Sequence, residues 1–413
     1  MTFNDDCVKK SDEKKFQEFE LIELGKVSKI SMGQSPPSKY YNYEGDGIPF
    51  LQGVKTFGNK YPKYDTWVTR PLKIATKGEV LFSVRAPVGE VNIATTDVCI
   101  GRGLASISGY DNEFIYYLLK SFGQKVIDRQ TGTVFGAVGR EILESTKLPI
   151  PSQTEQKAIA KILSDLDSKI ELNQKMNKTL ESIAHAIFKH WFIYFEFPNE
   201  EGKPYKSSGG EMVDSELGKV PKKWTIKTLD GIANFLNGLA LQRYPAITEN
   251  DYLPVIKIKE MNYGISGSSD KASRDIPSEY IVHNGDVLFA WSGSLGVTIW
   301  CNGEGALNQH IFKISSNEYP KWFYYEWLLY YLPNFIEIAR DKATTMGHIQ
   351  RHHISESLVA VPDSNTLEIM NNVLKLIIDR IINLKVENDT LTKTRDLFLP
   401  SLISGKIRVP LEG

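Results

Sequence analysis

One segment of this chain occurs twice, and this repeat constrains the fold more than any other feature. The stretch KGEVLFSVRAPVGE, residues 77–90, returns as NGDVLFAWSGSLGV, residues 284–297. Gly78 and Gly285 are 207 positions apart, and so are Gly89 and Gly296. Self-similarity at one fixed offset is the signature of a duplicated structural unit. The chain is therefore predicted to contain two copies of one domain.

The repeat continues beyond this segment. CIGRGL, residues 99–104, lies opposite ALNQHI, residues 306–311, at the same offset, and LPIP, residues 148–151, meets VAVP, residues 359–362, at an offset of 211. Small changes of offset are what loop insertions produce. A length of 413 residues with 41% hydrophobic content is enough for two cores and connecting helices.

Each copy is predicted to be an α/β unit. The first contains short β-like runs at 79–84, 91–94 and 104–107, followed by an amphipathic helix at 113–130. We place the first domain at 20–151 after a polar tail at 1–19, and the second at 217–362. The segment between them is rich in Gly, Ser, Pro and charge, and we interpret 196–216 as a surface linker.

A long helix is predicted after each domain. Apolar residues spaced by three or four run from Ile159 to Trp191, and again from Leu367 to Leu391, which indicates a central helix at 152–195 and a C-terminal helix and tail at 363–413. Asn173, Asn177 and Asn388 lie on or beside these stripes, and a polar residue in a helical seam commonly fixes register. We predict an antiparallel coiled-coil pair with one domain at each end. Ordinary core helices packed on their own domains are the alternative.

No catalytic motif is present. The chain has no phosphate-binding GxxxxGK[ST] loop, no GxGxxG dinucleotide fingerprint and no HExxH metal motif, and its three cysteines form no CxxC pair. His348, His352 and His353 near Arg351 are interpreted as surface or phosphate-facing residues. No apolar run is long enough for a membrane span and the first residues contain no leader, so we expect a cytoplasmic protein. The net charge of −1 decides nothing about nucleic acid.

Several strings resemble one known family. They are YKSSGGEMV at 205–213, GQSP at 33–36, GIPF at 47–50, and RDLFLPSLISGKI at 395–407. Together they resemble the specificity (S) subunits of Type I restriction-modification systems over nearly all of residues 20–409. The resemblance implies an α+β fold in which two duplicated α/β target-recognition domains are separated by two long antiparallel helices that form a coiled-coil spacer.

The resemblance also implies a function. Each domain would read one half of a bipartite, asymmetric site in double-stranded DNA, and the helices would set the gap and dock two methyltransferase (M) subunits. Two restriction/translocase (R) subunits are expected as further partners. The complex would be a site-specific deoxyribonuclease and adenine-N6 DNA methyltransferase, with S-adenosylmethionine, ATP and Mg held in partner subunits. A methylation-only assembly is the other form that the resemblance allows, and the sequence does not separate the two because the difference lies in a partner. This chain would bind no cofactor or metal and would itself be non-catalytic. A stand-alone enzyme and a two-domain protein scaffold without DNA recognition remain the alternatives.

Loops at strand ends that are rich in Arg, Gln, Asn, Ser and Thr suit hydrogen bonding to base edges. The duplication also pairs RQTGT, residues 129–133, with KATT, residues 342–345. The predicted DNA-binding residues of the first domain are Lys39, Tyr40, Arg85, Arg102, Arg129, Gln130, Thr131 and Thr133. Those of the second domain are Arg243, Ser292, Ser294, Asn308, Gln309, Lys342, Thr344, Thr345, Gln350 and Arg351.

Overall fold

The structure is a computed structural model that describes residues 19–128, 137–248, 250–341 and 347–410. Its helices are α1 (Leu24–Val27), α2 (Asn112–Asp128), α3 (Arg140–Ser145), α4 (Gln153–Phe188), α5 (Leu229–Ile232), α6 (Ile258–Tyr263), α7 (Lys321–Asp341), α8 (Arg351–Ser355) and α9 (Ser364–Ser404). A π-helical turn, Lys189–Ile193, continues α4.

The strands follow in chain order. They are β1 (Leu21–Glu23), β2 (Ser28–Met32), β3 (Tyr41–Asn42), β4 (Ile48–Leu51), β5 (Trp67–Val68), β6 (Ile74–Ala75), β7 (Val80–Ser83), β8 (Val91–Ile93), β9 (Val98–Ile100), β10 (Leu104–Gly109), β11 (Lys147–Pro149), β12 (Met212–Ser215), β13 (Gly218–Pro221), β14 (Thr225–Thr228), β15 (Asn234–Asn237), β16 (Leu253–Ile256), β17 (Lys271–Ala272), β18 (Ile281–Val282), β19 (Val287–Ala290), β20 (Gly296–Ile299), β21 (Gly305–Leu307), β22 (Ile311–Ser315) and β23 (Leu358–Val361).

The chain divides into two compact units. The first unit comprises Met1–Lys169 with Thr392–Gly413, and the second unit comprises Ile170–Leu391. Each unit therefore contains a segment of α4 and a segment of α9. The mixed content of helix and strand and the long helix between the two repeats confirm the predicted fold class.

The first unit is built on strand β7, which is buried on both faces. Val80 and Phe82 pack in one core with Phe114 of α2, whereas Leu81 packs in a second core with Leu104. Side chains alternate across a strand, so an uninterrupted apolar run is what two buried faces require. The sheets have the orders β2-β10-β7-β8, β3-β5-β4-β9-β6 and β1-β11. Only the pairing of β4 with β9 is parallel among the described pairs of this unit.

The second unit repeats this construction. Its sheets have the orders β15-β22-β19-β20, β17-β16-β21-β18 and β14-β23, and β16 pairs with β21 in parallel. Strand β19 likewise sends Val287 and Phe289 into one core and Leu288 and Ala290 into another. The strand matched by the 207-residue offset thus occupies the same place in both sheets, which confirms the duplication.

The segment between the repeats packs more than its composition indicates. Strands β12 and β13 form a hairpin there, and Phe195 and Phe197 are buried. The ring of Phe197 stacks on Tyr205 at 4.6 Å and on Trp224 at 5.0 Å between centroids. A few aromatic residues among many polar ones are enough to form a small core, because each buries a large apolar area. The segment is therefore partly core rather than surface linker alone.

Helices α4 and α9 pair antiparallel within each unit. In the first unit Arg395 Nη1 of α9 donates to Asp167 Oδ1 of α4 at 2.7 Å. Arg408, beyond the end of α9, continues in the same direction and donates from Nε to Glu155 Oε1 at 2.9 Å. In the second unit Asn388 Nδ2 donates to the Ile170 carbonyl, and Lys385 forms an ion pair with Glu181. Residue numbers therefore increase along α4 while they decrease along α9, as in the first unit. The predicted pairing direction is confirmed.

The predicted polar positions lie in this seam. Asn173 and Asn177 are buried, and Asn173 Nδ2 donates to Glu387 Oε2 at 2.9 Å. Ile162 and Ile183 belong to the predicted apolar run from Ile159 to Trp191, but both are exposed. A three-and-four spacing sustained over many turns drifts around a straight helix, so not all of its members can face one partner.

A buried charge network ties both long helices to the first unit. Asp167 accepts hydrogen bonds from Tyr117 at 2.6 Å and from Arg395 at 2.7 Å. Lys60 Nζ lies 4.0 Å from Asp167 Oδ2 and 2.8 Å from Glu113 Oε2. Its contact with Glu113 is an ion pair whose angles do not meet those of a hydrogen bond. Burial raises the pKa of Tyr117 and the hydrogen bond to Asp167 raises it further, so the phenol remains a donor.

None of the helices in the described ranges is long and apolar enough to cross a lipid bilayer.

Candidate nucleic-acid interface

Three segments of the first unit meet where strands end. The turn after β7, the turn between β9 and β10, and the segment after β2 are joined by backbone hydrogen bonds, from Val84 to the Gly103 carbonyl at 2.9 Å and from Gly33 to the Leu104 carbonyl at 2.9 Å. We define the first-unit site as residues 33–35, 52, 84–85 and 101–103.

The second unit reproduces this backbone frame. Trp291 donates to the His310 carbonyl at 3.3 Å and Gly238 to the Ile311 carbonyl at 3.1 Å, in the same roles. A further matched pair joins Val138 to the Val84 carbonyl in the first unit and Ile349 to the Trp291 carbonyl in the second. We define the second-unit site as residues 237–240, 291–294, 308–310 and 347–349.

One glycine in each site permits this close approach. A Cβ atom on Gly33 would lie 2.2 Å from the Gly101 carbonyl oxygen, and one on Gly238 would lie 2.2 Å from the Asn308 carbonyl oxygen. No side chain fits at such a distance, so glycine is required where the two backbones meet. The strand-end turns are thereby held at equivalent positions in both units.

Arg102 dominates the first-unit site. Its backbone N–H donates to Ser35 Oγ at 3.1 Å, and Ser35 Oγ donates to Gln52 Oε1 at 3.1 Å, while its guanidinium is exposed. Arg85, in the turn after β7, is exposed as well. These two predicted residues are brought together by the hydrogen bond from Val84 to Gly103.

A basic cluster lies beside them. The Arg70 guanidinium carbon is 5.0 Å from the centre of the Tyr40 ring, and Nη1 donates to the Tyr40 hydroxyl at 3.3 Å. Lys39 Nζ lies 5.2 Å from the same ring. The pKa of the neighbouring Tyr41 is raised by burial and by Cys99, and the positive charge of Arg102 partly offsets this rise. Among the described residues no carboxylate forms an ion pair with Lys39, Arg70 or Arg102. Cations that no carboxylate neutralises suit contact with phosphates or guanine edges.

Arg70 was not among the predicted residues. The available signal was its place in a loop directly after a strand that ends in Trp67 and Val68. Its orientation by Tyr40 is a three-dimensional feature that no spacing rule indicates.

The second-unit site has different side chains on the same frame. Trp291 Nε1 donates to Asn237 Oδ1 at 3.0 Å, and its ring lies 6.0 Å from that of His310 and 6.4 Å from that of His348. The buried Ser292 hydroxyl lies 3.0 Å from His310 Nδ1, and Gln309 Nε2 lies 3.3 Å from His310 Nε2. An amide nitrogen can only donate, so His310 Nε2 accepts and the Nδ1 hydrogen is donated to Ser292.

The structure separates the other predicted residues of this unit. Asn308 is buried and its Oδ1 accepts from the His310 backbone at 3.2 Å, so its side chain stabilises the turn. Ser294 is exposed near Ser292, and Arg243 is exposed at the end of a 3₁₀ turn. Arg351 Nη2 donates to the Phe235 carbonyl at 3.3 Å, and Gln350 caps α8.

The remaining predicted residues are Arg129, Gln130, Thr131, Thr133, Lys342, Thr344 and Thr345, and they lie outside the described residues. His310 and Trp291 were not predicted. Within the described ranges, no group of three His, Cys, Asp or Glu side chains could hold a metal ion.

Comparison with known proteins agrees with this architecture. The family model of the type I restriction modification DNA specificity domain matches residues 14–182 and again residues 221–393. The MjaIX type I restriction enzyme specificity subunit of Methanocaldococcus jannaschii is 28% identical over 420 residues, which cover 95% of this chain and 94% of that protein. Another specificity subunit of that organism is 46% identical over 177 residues, 41% of this chain and 42% of its own length.

A solved structure shares the fold. The S subunit of a type I restriction-modification system from M. genitalium aligns with a TM-score of 0.57 at 16% identity, covering 95% of this chain and 98% of that one. The two family matches fall on the two repeats and together cover most of the sequence. The chain therefore belongs to the family of type I restriction-modification DNA specificity domains, of which it carries two copies.

Proposed function

We propose that this chain is the DNA-recognition subunit of a type I restriction-modification complex, and that each unit reads one half of an asymmetric, split DNA site. One observation carries the proposal. The two sites share a backbone frame, yet Arg85 and Arg102 line the first whereas Ser292, Gln309 and His310 line the second. Two readers of one architecture with different linings suit a site whose halves differ in sequence.

The chemistry of the linings supports base reading. Arginine matches the two acceptors on the major-groove edge of guanine, and glutamine matches the donor and acceptor of adenine. The exposed Lys39 and Arg70 would add phosphate contacts, which supply affinity without sequence information.

The long helices are proposed to set the gap between the halves and to dock two methyltransferase subunits. Each of α4 and α9 is one continuous helix that contributes residues to both units. Ile369, Val373 and Leu376 recur at four and three residues along α9 and are exposed, although they are apolar. An exposed apolar stripe on a helix is typical of a surface that packs against further helices.

The same proposal assigns the chemistry to partners. The chain itself would be non-catalytic and bind no cofactor, S-adenosylmethionine would be held by the methyltransferase subunits, and ATP and Mg would be used by two restriction/translocase subunits. The assembled complex would methylate adenine at N6 and act as a site-specific deoxyribonuclease in the cytoplasm. These assignments rest on the family to which the chain belongs.

A selection experiment tests the recognition function. The chain, purified as a complex with its genome-neighbour methyltransferase, is incubated with a duplex pool in which 20 or so central base pairs are randomised, and bound DNA is sequenced through successive rounds. We expect enrichment of two short unequal elements at one fixed separation. A well-formed complex that enriches no sequence would refute the function and favour the two-domain scaffold.

The spacer role has its own test. Insertion of about seven residues, two turns of helix, near Asn173 with a matched insertion near Glu387, its partner across the seam, lengthens both helices by roughly 10 Å. The selected gap should then increase while both half-site sequences stay the same. Altered half-sites with an unaltered gap would exclude the helices as the spacer.

A further inference from the structure

The turns that carry Arg102 and Gln309 are equivalent in the two units. Arg102 lies in the turn between β9 and β10, and Gln309, 207 positions later, lies in the turn between β21 and β22. Each turn is closed by one backbone hydrogen bond of 3.0 Å, from Leu104 to the Gly101 carbonyl and from Ile311 to the Asn308 carbonyl. Each central residue also donates its backbone N–H to the segment after β2 or β15, at 3.1 Å for Arg102 and 2.9 Å for Gln309.

In the first unit the turn can present only one side chain. Arg102 lies between Gly101 and Gly103, and a Cβ atom on Gly103 would lie 2.5 Å from the Gln52 carbonyl oxygen. A Cβ atom on Gly101 would lie 2.9 Å from Gln52 Oε1. The close packing of this turn against Gln52 therefore excludes larger neighbours and leaves the exposed guanidinium as the single group at the tip.

In the second unit the neighbours of Gln309 are occupied. Asn308 is buried and bonded to the turn, and His310 is held by Ser292. One amide hydrogen of Gln309 is donated to His310 Nε2 at 3.3 Å. This contact orients the amide and leaves its second hydrogen and its carbonyl oxygen for a ligand.

We infer that Arg102 and Gln309 determine specificity at equivalent positions of the two half-sites, with Arg102 selecting a guanine and Gln309 selecting an adenine. This inference rests on the proposed DNA-reading function. A guanidinium donates two parallel hydrogen bonds to O6 and N7 of guanine, whereas a glutamine amide donates to N7 and accepts from N6 of adenine. After its contact with His310, the Gln309 amide still has one N–H hydrogen and its carbonyl oxygen, which are the donor and the acceptor that N7 and N6 of adenine require. His310 is a positioning residue, since it acts through Gln309.

Reciprocal substitutions test the assignment. Arg102→Gln and Gln309→Arg are each purified as the methyltransferase complex and carried through the randomised-pool selection beside the wild-type complex. Arg102→Gln should convert one guanine to adenine in one half-site only, and Gln309→Arg should convert one adenine to guanine in the other half-site only. The preference between the two bases should change by about 5-fold to 150-fold at that position, the span of a bidentate contact.

Matched controls separate base reading from charge. Lys147→Gln removes one positive charge from β11, and Thr225→Arg adds one to β14, both at exposed positions in the two-stranded sheets of their units. Both control complexes should select the wild-type sequence. His310→Ala should weaken the adenine preference in the second half-site while leaving the melting temperature within a few degrees, and the first half-site should not change.

The outcomes are distinguishable. A wild-type split motif that Arg102→Gln and Gln309→Arg leave unaltered would overturn the inference and leave the proposed function intact. A wild-type complex that selects no motif would overturn both. If Arg102→Gln fails to co-purify with the methyltransferase, Arg102→Lys replaces it, because lysine keeps the charge without the two-pronged geometry. Retained binding with a lost guanine preference would then support the inference, and a retained preference would overturn it.

Discussion

Asp167 is predicted to be essential for the stability of the first unit. Its side chain is 8% exposed and accepts from Tyr117 and Arg395, of which Arg395 is 15% exposed. Asp167→Asn keeps the shape of the side chain but removes the charge. Breaking a buried ion pair costs about 3–5 kcal/mol because the remaining charge stays uncompensated. We expect about 3 kcal/mol, the lower end of that range, because Lys60 retains Glu113 and Arg395 retains Asp396.

The chain supplies a matched control two residues away. Asp165 is 64% exposed and pairs with Lys161 one helical turn earlier at 2.8 Å. Asp165→Asn should cost no more than about 0.5 kcal/mol, because exposed pairs along a helix contribute little. For a unit of this size, the melting temperature should fall by about 6–12 °C for Asp167→Asn and by about 1 or 2 °C for Asp165→Asn.

Calorimetry of the full chain measures the two shifts, and hydrogen exchange assigns them. A chain with two units does not unfold in a single transition, so the response must be located. Amides of α2 should exchange faster in Asp167→Asn, whereas amides of α7 in the second unit should not change. Equal melting temperatures for the two variants would show that the charge network around Asp167 does not stabilise the first unit.

Two further predictions concern the second unit. Glu326 is 1% exposed, and its Oε2 lies 3.2 Å from His185 Nδ1. Burial raises the pKa of Glu326 although His185 opposes this, and the hydrogen bond to Glu326 raises the pKa of His185. Groups whose folded-state pKa is raised stabilise the fold at low pH, so stability should fall as pH rises above about 4.5 through Glu326 and above about 6.5 through His185. Glu326→Gln should flatten this dependence, because it removes the buried carboxyl and the hydrogen-bond partner of His185. Urea unfolding of both proteins from pH 4 to pH 8 checks this, and equal pH dependences would contradict it. In the seam, Asn173→Leu should stabilise by about 1 kcal/mol, because it removes a buried amide oxygen that has no partner, and because water can replace the lost hydrogen bond at the half-buried Glu387. Exposed Asn372→Leu is the control, and equal urea midpoints would contradict the assignment.

Much of the fold followed from local sequence pattern. The run at 79–84 was predicted as a strand and is Val80–Ser83, and its repeat is Val287–Ala290. The helices followed from apolar spacing, since the observed α4 is Gln153–Phe188. The network of Lys60, Asp167 and Arg395 was not predictable, because its members are far apart in the sequence and each is a charged residue of ordinary appearance.

Residues of the two candidate sites could be predicted only in the strand-end turns that the 207-residue offset matches between the two units. Arg102, Ser292 and Gln309 lie in the matched strand-end turns, as expected from their offset. Asn308 was predicted to bind DNA, but its Oδ1 accepts the backbone N–H of His310, two residues later. Asparagine side chains commonly form such local hydrogen bonds to the backbone of a turn. Arg70 depends on stacking against Tyr40, and His310 depends on contacts with two neighbouring side chains, so neither follows from residue type alone.

The most direct test of split-site recognition by the two units is a methylation map. The wild-type chain is co-expressed with its genome-neighbour methyltransferase in a host that lacks adenine methylation, and the DNA is read by single-molecule sequencing. We expect N6-methyladenine in a single split motif, with two short unequal halves around a fixed unspecified gap. Methylation of one uninterrupted sequence, or none from a complex that co-purifies intact, would contradict the claim that the two units read two half-sites.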